Sequence, residues 1–367
     1  MVPDALFIDR SAADHPRAAA IAGRLALTPR IIEDPRPLFQ AVASADDPEG
    51  RGKEILYLTR QRGPFLRNCP GTREYICCGY QILHVGAYCT MDCAYCILQS
   101  YFHPPVLQFF VNDEDLMETL DALFATRTLN RVGTGEFTDS LIWEPWTDLN
   151  PPLIQRFARQ SRSVLELKTK TADISPVAGL DHRRKTILAW SVNTPRVIRT
   201  EERRTAGLSA RLAAAARAEA LGYPVAFHFD PMILYPGCEA EYTAVVDRIF
   251  ESVSPENVVW ISLGTLRFMP ALKPVIERRF PDSTIVYGEL IPGLDGKMRY
   301  FKPLRTALYR TVADRIAQQA PEVTVYLCME DEPVWTDALG IRPADRGGLP
   351  RMLDAAAARV CGLSAPS

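Results

Sequence analysis

Six of the nine cysteines fall between Cys69 and Cys96, and three of them, Cys89, Cys93 and Cys96, form a CxxxCxxC run. Thiolates are soft donors suited to iron–sulfur clusters. Three in one loop can hold three irons of a 4Fe-4S cubane, leaving the fourth iron open to a small molecule with amino and carboxylate groups. A structural zinc takes four ligands, commonly as two spaced pairs, and this run offers three. Zinc held by a non-catalytic module, or incidental burial, are the competing readings. Cys77 and Cys78 in ICCGY, and Cys69 in NCPGT, read either as packed thiols or as participants: a hydrogen-atom donor or an extra cluster ligand. Cys238, Cys328 and Cys361 have no motif around them and read as inert.

Elements must position that run. From Gln81 onward, short apolar runs alternate with helix-length segments: QILHV from Gln81, RVGTG from Arg131, VLELK from Val164, ILAWSV from Ile187, PVAFHF from Pro224 and VVWISL from Val258. LSARLAAAARAEALG, from Leu208, is rich in strong helix formers and stops at Gly222. Six strands alternating with helices imply parallel βαβ units, curled by right-handed crossovers into a barrel, partial or complete. The expected fold class is α/β, a partial (β/α)6 barrel over residues 61–300. A small N-terminal α/β unit (1–60) precedes it, and a C-terminal capping region (301–367) follows. The polar stretch from Asp46 to Lys53 reads as a linker. The cysteine run follows the first barrel strand, at the strand ends where barrels bind ligands. Gly133-Thr-Gly-Glu136 closes the second strand; a glycine pair there is otherwise a common turn.

The chain has 367 residues, 47% of them hydrophobic and 23% charged, with a net charge of −2. No global positive field draws it to nucleic acid. No apolar run reaches the roughly 18–20 residues of a membrane span, and the N-terminus lacks a secretory pattern, so a cytoplasmic location is expected. The best patches for phosphate are Lys297-Met-Arg299-Tyr300-Phe301-Lys302, Arg278-Arg279 and Arg203-Arg204. Tyr101, Phe102 and His103, with Trp143 and Trp146, could stack on an extruded base or pack helix against barrel. His228 ends a strand two residues before Asp230.

CTMDCAYCILQ, GTGEFTDS, the Lys-Thr-Lys ending at Lys170, the SVN at Ser191 to Asn193, RLAAA from Arg211 and ALKPVIERRFP from Ala271 together resemble the radical S-adenosylmethionine (SAM) superfamily. Within it the chain resembles the spore photoproduct lyase family, from about Tyr75 to Leu327. The resemblance implies a 4Fe-4S cluster on Cys89, Cys93 and Cys96, and reductive cleavage of SAM to a deoxyadenosyl radical that abstracts hydrogen. It further implies repair of a thymine lesion in DNA, with flavodoxin or ferredoxin as electron donor. Gly133, Gly135 and Glu136 would meet the methionine amino group, and Lys170 the carboxylate. Thr138, Ser191, Asn193 and Asp230 would line the same pocket, and Tyr95 is kept from the family's radical relay. Thr138, Ser191 and Asn193 could equally satisfy local backbone groups.

Two positions depart from the family. Glu136 stands where the family places its hydrogen-donating cysteine, and Ile97 where it places a second relay tyrosine. They point to Cys77 or Cys78 as a substitute donor. They also support an alternative, the same radical start on a peptide, nucleotide or small metabolite.

Overall fold

The computed structural model describes residues 2–72 and 74–364. Its main sheet has eight strands, and all six sequence-expected runs lie in it: Gln81–Leu83, Asn130–Gly133, Ser163–Thr169, Thr186–Ser191, Val225–Met232 and Val258–Thr265. They pair in parallel in that order. Thr324–Leu327 adds a seventh parallel strand beyond Val258–Thr265, and Leu66–Asn68 an antiparallel strand beyond Gln81–Leu83. The runs are apolar because helices cover the outer face while the inner face closes on itself. Leu165, Leu188, Phe227 and Ile261 are all buried.

Among the described residues the two sheet edges do not pair through strands. Residues 74–80 lie in the gap, where Ile76 donates its backbone N–H to Glu330 O at 3.0 Å. The result is a half-barrel whose seam is closed by a loop rather than a ladder.

The N-terminal residues build a five-stranded sheet, Arg30–Ile32, Ala5–Asp9, Ile55–Thr59, Leu107–Phe110 and Gly86–Ala87 in spatial order. Its last two strands lie beyond residue 60 and flank the cysteine run in sequence. One apolar core joins both sheets, running from Leu6, Leu58 and Phe109 to Val132 and Leu165.

The linker expected at Asp46 to Lys53 is instead a helix, Pro48–Glu54. Its polarity hid two start signals: Asp47 accepts from Gly50 N, and Pro48 occupies the first turn. Leu208–Ala220 is helical as expected, and Gly222 follows with φ +86°. At the opposite end of the barrel, Lys185 Nζ donates to Cys361 O and Gly362 O at 2.7 and 2.6 Å, satisfying the end of the helix Leu349–Cys361. Among the described residues no helix is long and apolar enough to cross a membrane.

Candidate functional site

Cys89, Cys93 and Cys96 sit on one loop between Gly86–Ala87 and the short helix Leu98–Tyr101. Many donors from outside the loop fix its backbone. Lys53 Nζ, buried at the end of the helix Pro48–Glu54, donates to Cys89 O at 3.0 Å and Met91 O at 2.6 Å. Gln99 Nε2 donates to Cys93 O, Ala94 O and Cys96 O at 3.2, 3.0 and 3.3 Å. Asp92 is held by Arg279 at 3.0 Å, and Asp92–Cys93 pairs antiparallel with Glu202–Arg203. Met91 N donates to Cys89 Sγ at 3.4 Å, a bond that stabilises a thiolate. Burial pushes the Cys89 thiol up to about 12 and raises Cys93 as well, so metal binding here must displace protons. A preorganised loop with three soft donors fits a cubane cluster. The fourth tetrahedral ligand of a zinc site is missing from the run.

Beside this loop lies a polar group built on two strand ends. Tyr95 Oη donates to Glu202, which is also bound by Arg211 Nη2. Arg211 is fully buried and donates through Nη1 to Ser191 O at 2.8 Å. Burial alone would raise Glu202; the charges of Lys170 and Arg211 outweigh it and hold the carboxyl below its ordinary value. Lys170 Nζ lies 5.6 Å from the centre of the Tyr95 ring. Lys170 N donates to Asp139 Oδ2 at 2.8 Å, and Thr169 Oγ1 to Asp139 Oδ1 at the same distance, so Asp139 clamps the GTGEFTDS loop to the next strand. Thr138 is buried, with a weak 3.5 Å bond to Asp139 O.

A second polar group lines the barrel mouth. Glu136 pairs with Lys168 at 3.3 Å, and both side chains keep solvent access, 34% and 25%. Asp230 is held by two bonds from Arg267, at 3.0 and 2.9 Å. Burial would lower Lys168, yet the carboxylates of Glu136, Glu166 and Asp230 prevail and raise it. Gly133 and Gly135 are packing necessities as well as turn residues. A Cβ on Gly133 would stand 1.6 Å from Tyr80 Oη, and one on Gly135 2.9 Å from Lys168 Cβ.

The structure therefore brings together Cys89, Cys93, Cys96, Tyr95, Ser191 and Lys170 on one side, and Glu136 and Asp230 on the other. Asn193 is tied into a turn: its amide donates to Pro231 O, while its Oδ1 accepts from Thr194 N and Tyr242 Oη. Cys77, exposed, and Cys78, half-buried, lie on the seam loop. His228 is a core residue, bonded to Glu166 at 2.8 Å and Ser262 at 3.0 Å. Trp143 and Trp146 are buried and pack on each other and on Phe109, so they are not a base-stacking surface. Tyr101 is 51% exposed and stacks on Phe137, with centroids 5.8 Å apart.

The basic patches also change meaning. Arg299 is bound by Asp295 and Met329 O and lies over the Tyr75 ring; Lys297 pairs with Asp295 and Lys302 with Asp331. Arg278 is bound to Glu49, and Arg279 to Asp47 and Asp92. These charges hold elements together rather than form an open phosphate track. Sequence reasoning missed Lys53, Lys168, Glu202, Arg267 and Cys328, most of whose partners lie 32 to 107 positions away. For Lys168 the strand alternation with Glu166 and Lys170 was the available signal.

The model of the family described as "Spore photoproduct lyase" matches residues 77–302. The chain is 24% identical over 254 residues to the spore photoproduct lyase of Clostridium acetobutylicum, covering 68% of this chain and 71% of that one. It is 25% identical over 207 residues to the Bacillus subtilis lyase, covering 55% and 60%. Among solved structures it is similar to a substituted spore photoproduct lyase holding AdoMet and dinucleoside spore photoproduct, with a TM-score of 0.77, 20% identity, and coverage of 89% of this chain and 99% of that one. That likeness bears on fold, while the family match spans more than half of the sequence. The chain belongs to the spore photoproduct lyase family.

Proposed function

We propose that this protein is a radical SAM enzyme that repairs a thymine lesion in DNA. The observation that carries the reading is the braced Cys89, Cys93, Cys96 loop at the carboxyl mouth of the half-barrel, in a chain of the spore photoproduct lyase family. When bound, a 4Fe-4S cluster and SAM supply a deoxyadenosyl radical by one-electron reductive cleavage. Everything else falls to the chain. The three thiolates hold the cluster, while Lys53 and Gln99 prevent the loop from shifting. Lys170 places a cation beside the cluster loop for the SAM carboxylate, and Glu136, one-third exposed, can receive an ammonium. Asp139 keeps both strand ends in register. Tyr101 on Phe137 offers a face on which an extruded base can stack. The electron donor is a small acceptor-docking protein of the flavodoxin or ferredoxin class.

The test is anaerobic reconstitution. Brown protein should release deoxyadenosine from SAM with dithionite, and Cys93→Ala should lose that activity at least about a hundredfold. Irradiated DNA or a synthetic spore-photoproduct dinucleotide should yield thymines. Intact SAM cleavage without conversion of either substrate overturns the lesion-repair reading.

A further inference from the structure

We propose that Arg196, Arg199 and Arg203, exposed on the outer side of the cysteine loop, form the docking surface for an acidic one-electron carrier protein. The carrier then binds behind Cys93 and Ala94 rather than at the barrel mouth, and is oxidised by one electron for each that enters the site. This inference rests on the radical SAM reading of the loop and adds where its reductant docks.

The three arginines lie on one stretch, the helix Pro195–Glu201 and the strand Glu202–Arg203. Pro195 in the first turn and Thr194, whose Oγ1 accepts from Val197 N, start the helix. Val197, Ile198 and Glu201 make its buried face, and Arg196 and Arg199, neighbours at i,i+3, stand on the exposed one. The buried face rests on the cysteine loop. Val197 shares a small core with Ala94, and Ala94 N donates to Glu201 O at 2.8 Å. Cys93 pairs with Glu202, so about 4.8 Å, one strand spacing, separates this stretch from the loop backbone. Side chains alternate along a strand. Glu202 turns inward to Arg211 and Tyr95, and Arg203 turns out to solvent.

Charge is sorted the same way. Glu201 and Glu202, the acids of this stretch, are buried, and Glu201 accepts from Ser283 Oγ at 2.6 Å. Two of the arginines are held by aromatic rings instead of by acids. Arg196 Cζ lies 4.5 Å from the centre of the Tyr235 ring, and Arg203 Cζ 4.6 Å from that of Phe280. A ring orients a guanidinium without cancelling its charge. Lys302, Arg278, Arg279 and Arg299 are instead neutralised by carboxylates. A chain of net charge −2 thus shows local positive charge on the outer face of its cysteine loop. An acidic face on the carrier would be steered there and oriented by it. A duplex is the poorer fit, because it would need a longer basic track and its lesion must enter the barrel mouth.

The experiment uses the full chain, reconstituted anaerobically, with a purified acidic bacterial flavodoxin as the carrier. Flavodoxin association, followed by biolayer interferometry, should weaken at least about tenfold between about 50 and 500 mM salt. Arg196→Glu/Arg199→Glu should weaken it by a similar factor, about tenfold, at the lower salt, and Arg196→Lys/Arg199→Lys should retain it. SAM cleavage by the charge-reversed variant should match the parent with dithionite and fall when subsaturating reduced flavodoxin is the only reductant. Association indifferent to salt in the unsubstituted protein overturns the proposal, and that result needs no variant to fold. So does association that survives the charge reversal; if affinity for undamaged duplex falls instead, the surface belongs to DNA. The radical SAM reading fails separately, by the absence of deoxyadenosine from the unsubstituted protein with dithionite.

Discussion

Arg211 shows how much of a site can depend on a residue that touches no substrate. Its guanidinium, wholly enclosed, binds Glu202, Ser191 O, Thr205 and Ala206 O, and Glu202 in turn receives the Tyr95 phenol. Replacing Arg211 by Met leaves a buried carboxylate with the Tyr95 phenol and the Lys170 charge but without its guanidinium partner. The expected loss is about 3 kcal/mol of stability, visible in the urea midpoint, together with reduced iron retention because Glu202–Arg203 pairs with Asp92–Cys93. An unchanged midpoint would show that Tyr95 and Lys170 compensate Glu202 without Arg211. At this scale the sequence was legible where chemistry is local: three cysteines within eight positions announce themselves. Cys328 did not, because its neighbours Arg267 and Cys69 are 61 positions away or more, and nothing in its own surroundings signals a cavity.

The helix Pro48–Glu54 is the element on which the cluster loop leans. It approaches the chain at Pro105 so closely that a Cβ on Gly52 would lie 1.5 Å from Pro105 O. Gly52→Ala must push the helix outward, withdrawing Lys53 from Cys89 O and Met91 O. The variant should lose about 1–3 kcal/mol and release its iron faster to a chelator than the parent does. Equal chelation rates would mean that Gln99, Arg279 and the Glu202–Arg203 pairing brace the loop without Lys53. This helix was misread as a linker because its polar, glycine-containing sequence PEGRGKE resembles a loop; its buried faces, Glu49 and Lys53, serve tertiary partners that no local pattern reveals. The barrel strands were legible for the opposite reason. Each is an apolar run whose both faces are covered, so composition alone marks it.

For the molecule as a whole, net charge and internal pairing limit how DNA can be held. With a charge of −2, and the basic clusters engaged by Asp295, Asp331, Glu49, Asp47 and Asp92, few phosphates can be neutralised. Affinity for an undamaged duplex should therefore fall by no more than about tenfold between about 50 and 200 mM salt, as for one or two phosphate contacts. A fall of a thousandfold would reveal a basic track that the fold does not show. The architecture was legible as alternating strands and helices; the seam was not, because a loop that closes a sheet leaves no periodic trace. The two strands flanking the cysteines carry one more consequence. Gly86–Ala87 and Leu107–Phe110 both belong to the first sheet and pair with each other, so that sheet completes only after residue 110 has been synthesised. During translation the cysteines are always made before the scaffold that braces them is finished. Lys53 is in place first, while Gln99, Glu202 and Arg279, which complete the bracing, all follow the last of the three cysteines.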